Sequence, residues 1–172
     1  MDFKKWFVES TLDDLYQSAV DAFPHTTKRQ HATHTIKITK LLWRPYKGMN
    51  TLFIRGLAQN EGREYNPMVL FKKVKYHEAS DPGTIHLQTD VGEYDLEPIL
   101  FDAQDALLRC NCPDFYWRFN YYDHLDKSLY GRKRAKYEAL RDPGSANPMK
   151  MPGMCKHLMK MMQALGNSGI LV

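Results

Sequence analysis

The sequence contains no long hydrophobic run. No stretch approaches the roughly 18 apolar residues that a transmembrane helix requires. Residues 1–7, MDFKKWF, lack the apolar segment and the small-residue cleavage site of a secretory signal peptide. We therefore expect a protein that is neither secreted nor embedded in a membrane.

Catalytic motifs are also absent. The chain has no phosphate-binding P-loop, no G-x-S-x-G, no H-E-x-x-H and no convincing pair of carboxylates. Cys155 and His157 resemble a nucleophile and its base, but two residues apart at a predicted helix start they point in different directions. The sequence therefore predicts no enzymatic activity and no small-molecule substrate.

Cysteine is scarce, and the few cysteines are grouped. There are three in 172 residues, so a disulfide framework would leave one thiol unpaired. The motif CNC contains Cys110 and Cys112, and the motif CKH contains Cys155 and His157. In an extended or hairpin backbone, Cys110 and Cys112 project to the same face, so both can reach one ion. Cys155 and His157 supply the second pair at the entry to the last helix. Buried core thiols beside a capping histidine are the alternative.

Four thiolate and imidazole donors match the tetrahedral preference of zinc. A set of four protein ligands leaves no open position on the ion, which is typical of structural and not of catalytic zinc. The 42 residues between the two motifs form a long loop, but the entropy of closing a loop grows only slowly with its length. The sequence therefore predicts one structural Zn²⁺.

The length and composition of the chain are those of one ordinary domain. With 172 residues, 43% hydrophobic and 26% charged, the chain can form a real core. Residues 113–160 contain ten Lys or Arg and five Asp or Glu, whereas the rest contains 14 and 15. All of the excess positive charge therefore lies between and around the two motifs.

The hydrophobic pattern predicts an α+β fold. Leu12, Leu15 and Ala19 follow a helical period after Ser10, the expected N-cap, and Pro24 ends the helix. Between residues 33 and 89 the period changes to two, with turn residues at short intervals. Residues 68–76, 98–101 and 105–109 read as further β segments. We therefore expect an N-terminal helix and an antiparallel sheet of about five to six strands.

The C-terminal part is predicted to be helical. We expect a helix over 115–122 capped by Asp114, a second over 132–141, and a terminal helix over 154–165 that Gly166 ends. Residues 166–172 form a tail that needs a partner to become ordered. The predicted organisation is a sheet domain over 1–104 and a zinc module over 105–172 with a helical insert over 113–150, packed as one unit.

The pattern C-x-C…C-x-H resembles that of SWIM-type zinc fingers. The resemblance covers about a third of the chain, mainly the segments CNCPDF and PGMCKHL. It implies that a β-hairpin supplies Cys110 and Cys112 and that a helix start supplies Cys155 and His157. The 42-residue spacer is longer than is usual in cellular members of the family. Its aromatic and basic content resembles a version found in tailed-phage proteins without an assigned enzyme activity.

The spacer offers two kinds of surface. Its aromatic run either packs over the zinc loop, as the helical spacing of Phe115, Phe119 and Tyr122 predicts, or stacks on nucleic-acid bases. Since one helix cannot bury every ring of so dense a run, some rings are expected at a protein interface. The candidates for the interface are Tyr116, Trp117 and Tyr121. The candidates for contacts with nucleic-acid phosphates are Arg118, Arg132, Lys133, Arg134 and Lys136, although a solvated helix face is an equal reading.

The sequence therefore favours two functions. The first is a non-enzymatic, zinc-stabilised assembly protein, which by the resemblance is a component of the head, neck or tail of a phage virion and meets other structural proteins in the particle or the host cytoplasm. The alternative is a nucleic-acid-binding SWIM protein that uses the basic insert on DNA. A regulatory subunit of an enzyme carried by another chain is a minor third possibility.

Overall fold

The computed structural model describes residues 10–23, 33–135 and 146–172. The fold is α+β, as the sequence predicts, with a helix, a five-stranded antiparallel sheet, a second three-stranded sheet and a C-terminal helix. None of the helices in the described ranges is long and apolar enough to cross a membrane.

The first helix, α1, spans Leu12–Ala22. Its N-cap is Thr11 and not the predicted Ser10, because Thr11 and Asp14 form a reciprocal capping box. Ser10 instead donates a hydrogen bond of 2.9 Å to Asp126. The side chains of Leu12 and Leu15 are fully buried, as expected for the apolar face of an amphipathic helix.

Within the described residues, eight strands form two sheets. The strands are β1 (Lys37–Tyr46), β2 (Thr51–Asn60), β3 (Arg63–Tyr65), β4 (Pro67–Phe71), β5 (Tyr76–His77), β6 (Ile85–Thr89), β7 (Gly92–Leu96) and β8 (Ala106–Cys110). The larger sheet has the order β1-β2-β4-β8, and all of its pairs are antiparallel. The short strand β3 also pairs with β2, on the same edge as β4. The smaller sheet has the order β5-β7-β6.

The second sheet arises where the sequence predicted one continuous β segment over 68–76. The chain leaves the first sheet after Phe71 because Lys73 adopts a left-handed conformation, with φ of 57°. The Val74 N–H then donates to the Asn50 carbonyl at 2.7 Å, and the Tyr76 hydroxyl donates to the Thr51 carbonyl at 2.7 Å. These two hydrogen bonds hold the small sheet beside the start of β2.

After β8, the described part of the chain contains the helices α2 (Pro113–Arg118), α3 (Asn120–Leu125) and α4 (Lys156–Asn167). The single helix predicted over 115–122 is therefore wrong, since the helix is interrupted at Phe119. Its predicted cap is also wrong: Cys112 caps α2, with its sulfur 3.3 Å from the Phe115 N–H, and Asp114 lies in the first turn.

The other two helix predictions are corrected as well. In the helix predicted over 132–141, residues 132–135 have no helical structure, because the Arg109 side chain and the Asn120 side chain bind their backbone instead. Residues 136–141 lie outside the described ranges. The terminal helix begins at Lys156, two residues later than predicted, and continues past Gly166 to Asn167.

The C-terminal tail is ordered by its own chain, so the prediction that it needs a partner is wrong. Ile99 and Leu171 form a parallel β-bridge in which the Ile99 N–H donates to Ile170 and the Val172 N–H donates to Ile99, both at 2.9 Å. Ile170 and Leu171 are buried in the core. Residues 98–101 are thus the partner of the tail and not a strand of the main sheet.

The core lies on one face of the large sheet. The alternate residues Leu52 and Ile54 of β2 and Val69 and Phe71 of β4 are fully buried there, since side chains two apart in a strand share a face. Helix α4 packs on β1, β2, β4 and β8. The division into a domain over 1–104 and a module over 105–172 stays a prediction. Strand β8 lies in the second of these ranges and is also a strand of the large sheet.

Candidate metal centre

Three elements bring the four predicted ligands together. Cys110 is the last residue of β8, and Cys112 is the N-cap of α2. Cys155 is the N-cap of α4, and His157 lies in the first turn of that helix. The β8 register, which pairs Cys110 with Pro67, fixes the first pair on the sheet. The second pair is fixed by the packing of α4 on the same sheet.

The four donor atoms form a compact, buried group. All of them lie within 4.8 Å of one another, and the four residues are at most 4% exposed. Donors bound to one tetrahedral zinc ion lie roughly 3.5–4 Å apart. The Cys155 sulfur is 4.0 Å from Nδ1 of His157, and none of the three cysteines is in a disulfide. The group could therefore bind one metal ion, and its donors are compatible with zinc.

The electrostatics of the group favour a bound cation. Burial raises the pKa of the Cys110 and Cys155 thiols well above its usual value. Hydrogen bonds from Cys110 and Cys155 lower the pKa of the Cys112 thiol, and the Phe115 N–H at the start of α2 acts in the same direction. A divalent metal ion would replace the protons on all three sulfurs and offset two of their three negative charges in the dry interior.

The His157 ring is buried beside the three sulfurs and packs against Tyr65, with centroids 4.3 Å apart. Nδ1 is the ring nitrogen that lies 4.0 Å from the Cys155 sulfur, so it is placed to bind an ion, and Nε2 would then carry the proton of the neutral imidazole. Core thiols beside a capping histidine, the alternative reading of the sequence, would not need all four groups to converge.

Several polar side chains support the centre without belonging to it. The Asn111 side chain, between the first two cysteines, accepts a hydrogen bond of 2.7 Å from the Asn66 N–H and so ties the CNC motif to the turn between β3 and β4. Asp123 accepts a bond of 2.8 Å from the Gly153 N–H, two residues before Cys155. No periodicity or motif indicates these contacts, since each joins segments that are distant along the chain.

The aromatic insert divides into buried and exposed rings. Phe115 and Phe119 are fully buried and Tyr122 is 6% exposed, which confirms the prediction that they pack in the core. Among the predicted interface residues, Trp117 is 48% exposed. Tyr116 and Tyr121 are partly buried. Tyr116 packs edge-on against Trp117, with centroids 4.2 Å apart.

The predicted nucleic-acid contacts do not form one basic helix face. Arg118 belongs to α2, where its Nε lies 3.0 Å from the Asp114 carboxylate and its guanidinium lies over the Phe23 ring at 4.9 Å. Arg132, Lys133 and Arg134 are exposed on a non-helical segment, with the Arg134 guanidinium 5.4 Å from the centre of the Tyr116 ring. Lys136 lies outside the described residues.

Comparisons of the chain with protein-family models, with curated proteins and with solved structures returned no match. The interpretation of the centre therefore depends on the donors themselves and on the surface that surrounds them.

Proposed function

We propose that this chain is a zinc-stabilised, non-enzymatic assembly protein that acts through protein–protein contacts as a component of a tailed-phage particle. One observation supports it most strongly. Four buried donors converge on a single point, and four protein ligands fill a tetrahedral coordination sphere. Such an ion has no free position for substrate or water and serves to fasten the chain.

Zinc is the metal that suits this centre best. Three thiolates and one imidazole form a soft, tetrahedral donor set, which favours zinc over magnesium, calcium or manganese. The set lacks the oxygen donors that the harder ions prefer. The role of zinc here is to join the end of β8 and the start of α2 to the start of α4.

The surface that this fastening presents fits a protein partner. Trp117 lies five residues after Cys112 and is 48% exposed. Leu125 and Met149 in the same insert are 41% and 55% exposed. Tryptophan and methionine are enriched in protein interfaces, and a tryptophan anchor often contributes much of the binding energy. The assignment to a phage particle itself comes from the resemblance of the two cysteine motifs and the long aromatic insert.

The test is mass spectrometry of particles purified from the phage that encodes the chain. We expect the chain in the particles at a fixed ratio to the other structural proteins. Trp117→Ala should reduce its incorporation, whereas Met49→Ala, which changes an even more exposed apolar residue outside the insert, should not. A chain that is absent from the particles and remains a monomer by light scattering would contradict the proposal.

A second function is favoured by one specific observation. Arg132, Lys133 and Arg134 are exposed, and the stacking of Arg134 on Tyr116 places a cation beside an aromatic ring, a combination used on single-stranded nucleic acid. If these residues bind phosphates, affinity for a DNA oligonucleotide falls steeply with salt, with a log–log slope of roughly −0.7 to −0.9 per contact.

The control for this second function uses matched charge changes. Neutralising Arg132, Lys133 and Arg134 with glutamine should flatten the salt dependence. The same replacement of three exposed lysines in and directly after β1, Lys37, Lys40 and Lys47, should not. Equal loss of affinity in both variants would show only a general effect of net charge and would remove the nucleic-acid function.

A further inference from the structure

A small apolar groove lies along the second half of α4, away from the metal centre. Its walls are Tyr16 of α1, Met159 and Met162 of α4, and Phe101 and Leu171 from the two segments that the tail pairing joins. Its volume of about 250 Å³ is below the roughly 300–1,000 Å³ of typical small-molecule sites, so it suits one or two protein side chains.

The lining of the groove favours an apolar occupant. None of the described residues that line it is charged, and the amide of Gln163 donates a hydrogen bond of 3.4 Å to the Thr33 hydroxyl. Apolar surface in contact with water is unfavourable, so a side chain that covers it is held by the hydrophobic effect. Methionine is unbranched and adapts to many shapes, which suits Met159 and Met162 to an aromatic ring.

The chain enters α1 beside this groove. Residues 1–9 lie outside the described ranges and join them at Ser10. Three residues later, the Asp13 N–H donates to the Phe101 carbonyl at 3.2 Å. The Phe101 ring meets the Tyr16 ring edge-on, with centroids 6.2 Å apart. Residues 1–9 are therefore attached to the described structure next to two walls of the groove.

Residues 1–9 have the side chains that such a groove accepts. Four of the nine are large and apolar, namely Phe3, Trp6, Phe7 and Val8. Phe7 and Trp6 precede Ser10 by three and four residues, a distance over which an extended chain covers roughly 10–14 Å. Both rings are therefore within reach of the groove, and each offers a large apolar area.

The other two undescribed segments fit the groove less well. Residues 24–32 contain no Phe, Tyr, Trp, Leu, Ile, Val or Met. Residues 136–145 rejoin the described chain at Ala146, which lines a cleft together with Cys112 and His157. That segment therefore ends near the start of α4, whereas the groove lies along the second half of the helix.

The charges beside the groove complement those of residues 1–9. Lys4 and Lys5 come immediately before the two rings. Asp14 lies in the first turn of α1, and Asp102 follows Phe101 of the groove wall. Both carboxylates are exposed, so lysines that approach from this side meet opposite charges.

We infer that residues 1–9 dock in this groove of their own chain, with the ring of Trp6 or Phe7 held in it. The docked segment covers apolar surface that the described residues leave open. It also brings the two ends of the chain together beside α4. The inference does not depend on the metal or on the proposed assembly function.

The first test uses trypsin on the full chain, since trypsin cleaves after Lys4 and Lys5. A protease acts on the open form, so cleavage in the wild type should be about tenfold slower than in a synthetic peptide of residues 1–12. Gly166 lines the groove, and a methyl group there lies 3.8 Å from its nearest neighbour, the Leu171 carbonyl oxygen. Gly166→Leu should therefore fill the groove without disturbing the helix, and raise the cleavage rate about tenfold.

Gly48→Leu is the matched control, because nothing lies within 4 Å of a methyl group added there and Gly48 does not line the groove. Its cleavage rate should equal that of the wild type. The second test needs no substitution. Nuclear Overhauser effects in the wild type should connect the ε-methyl group of Met162 to ring protons of Trp6 or Phe7.

Three results would overturn the inference. One is cleavage of the wild type as fast as that of the peptide, with no Overhauser effect from Met162 to residues 1–9. Another is protection that Gly166→Leu leaves in place, which would show that residues 1–9 dock elsewhere. The third is protection that increases with protein concentration together with a dimer in light scattering, which would assign the groove to a second copy of the chain.

Discussion

The two ends of helix α4 are fastened in different ways. At its start, Cys155 and His157 converge with two sulfurs from β8 and the cap of α2. At its end, Leu165 is fully buried in the apolar core, and the chain continues into the tail that pairs with Ile99. The first fastening would be made by the proposed metal ion, which can be removed. The second depends on buried apolar area and backbone hydrogen bonds.

This difference predicts how the molecule unfolds. Leu52, Ile54 and Phe71 on the buried face of the large sheet are held by apolar contacts, so their burial does not require the metal. The start of α4 and helix α2 surround buried thiols and a buried imidazole, which are poorly stabilised without a cation. Loss of the metal should therefore loosen one end of α4 before the other.

The largest expected effect follows from removing the metal. Chelation, Cys110→Ser or His157→Ala should each destabilise the metal end by several kcal/mol, since structural zinc contributes about 10–16 kcal/mol of apparent binding energy in zinc-finger peptides. Hydrogen exchange should then accelerate at the amides of Phe115 and Met159 before that of Ile99, which is bonded to the tail. Added zinc should reverse the effect of chelation but not that of the substitutions.

The opposite end is tested by Leu171→Ala. Leu171 is 6% exposed, so removing its side chain should cost about 2–4 kcal/mol in the free energy of unfolding by urea. Metal content should stay unchanged, because the contacts of the tail lie at the far end of α4. Val172→Ala is the matched control, since Val172 is 60% exposed and its loss should cost under about 0.5 kcal/mol. Loss of metal in Leu171→Ala would show that the two ends are not independent.

Local patterns in the sequence predicted the elements that depend on interactions between residues close together in the chain. The period of α1 and the alternation of β2 depend on which face is buried, and both elements were predicted. The four ligands were identified because the chain has no cysteine outside the two motifs. Long-range contacts left no such signal: the pairing of Ile99 with Leu171, the left-handed Lys73 that divides the sheets and the capping of α2 by Cys112 all needed the structure.

A smaller effect is expected at Gly153, which lies at the approach to the metal end. A methyl group there would lie 2.9 Å from a Phe119 ring carbon and 3.1 Å from Cβ of Ala19, so Gly153→Ala should destabilise the protein by about 1–3 kcal/mol and weaken metal binding. Gly48→Ala is the control, because nothing lies within 4 Å of the added methyl group. Thermal unfolding measures the change in stability, and a zinc competition assay measures the change in metal affinity. Equal stability and equal zinc affinity of the two variants would contradict the predicted steric clash at Gly153.

The smallest effect concerns Asp123, whose carboxyl group is fully buried. Burial raises its pKa well above the usual value, and Asp126 nearby acts in the same direction. A raised folded-state pKa means that stability is fully present below the unfolded pKa near 3.8 and is lost as pH rises through the folded pKa. Asp123→Asn removes this titration while its amide oxygen can still accept from Gly153.

The unfolding free energy of Asp123→Asn should therefore match that of the wild type at low pH and exceed it once pH is above the folded pKa. Urea titrations of both proteins over a series of pH values measure this gap. A gap that stays constant with pH, or that closes as pH rises, would contradict the buried carboxyl as its source.

The most direct test of the account is the metal content of the purified chain. Native mass spectrometry, with the protein purified without chelator, should show one zinc per chain, and the three thiols should react with a thiol reagent only after chelation. Cys112→Ser should lose the ion. Less than about half an equivalent of zinc in the wild type, together with thiols that react equally before and after chelation, would contradict the metal centre.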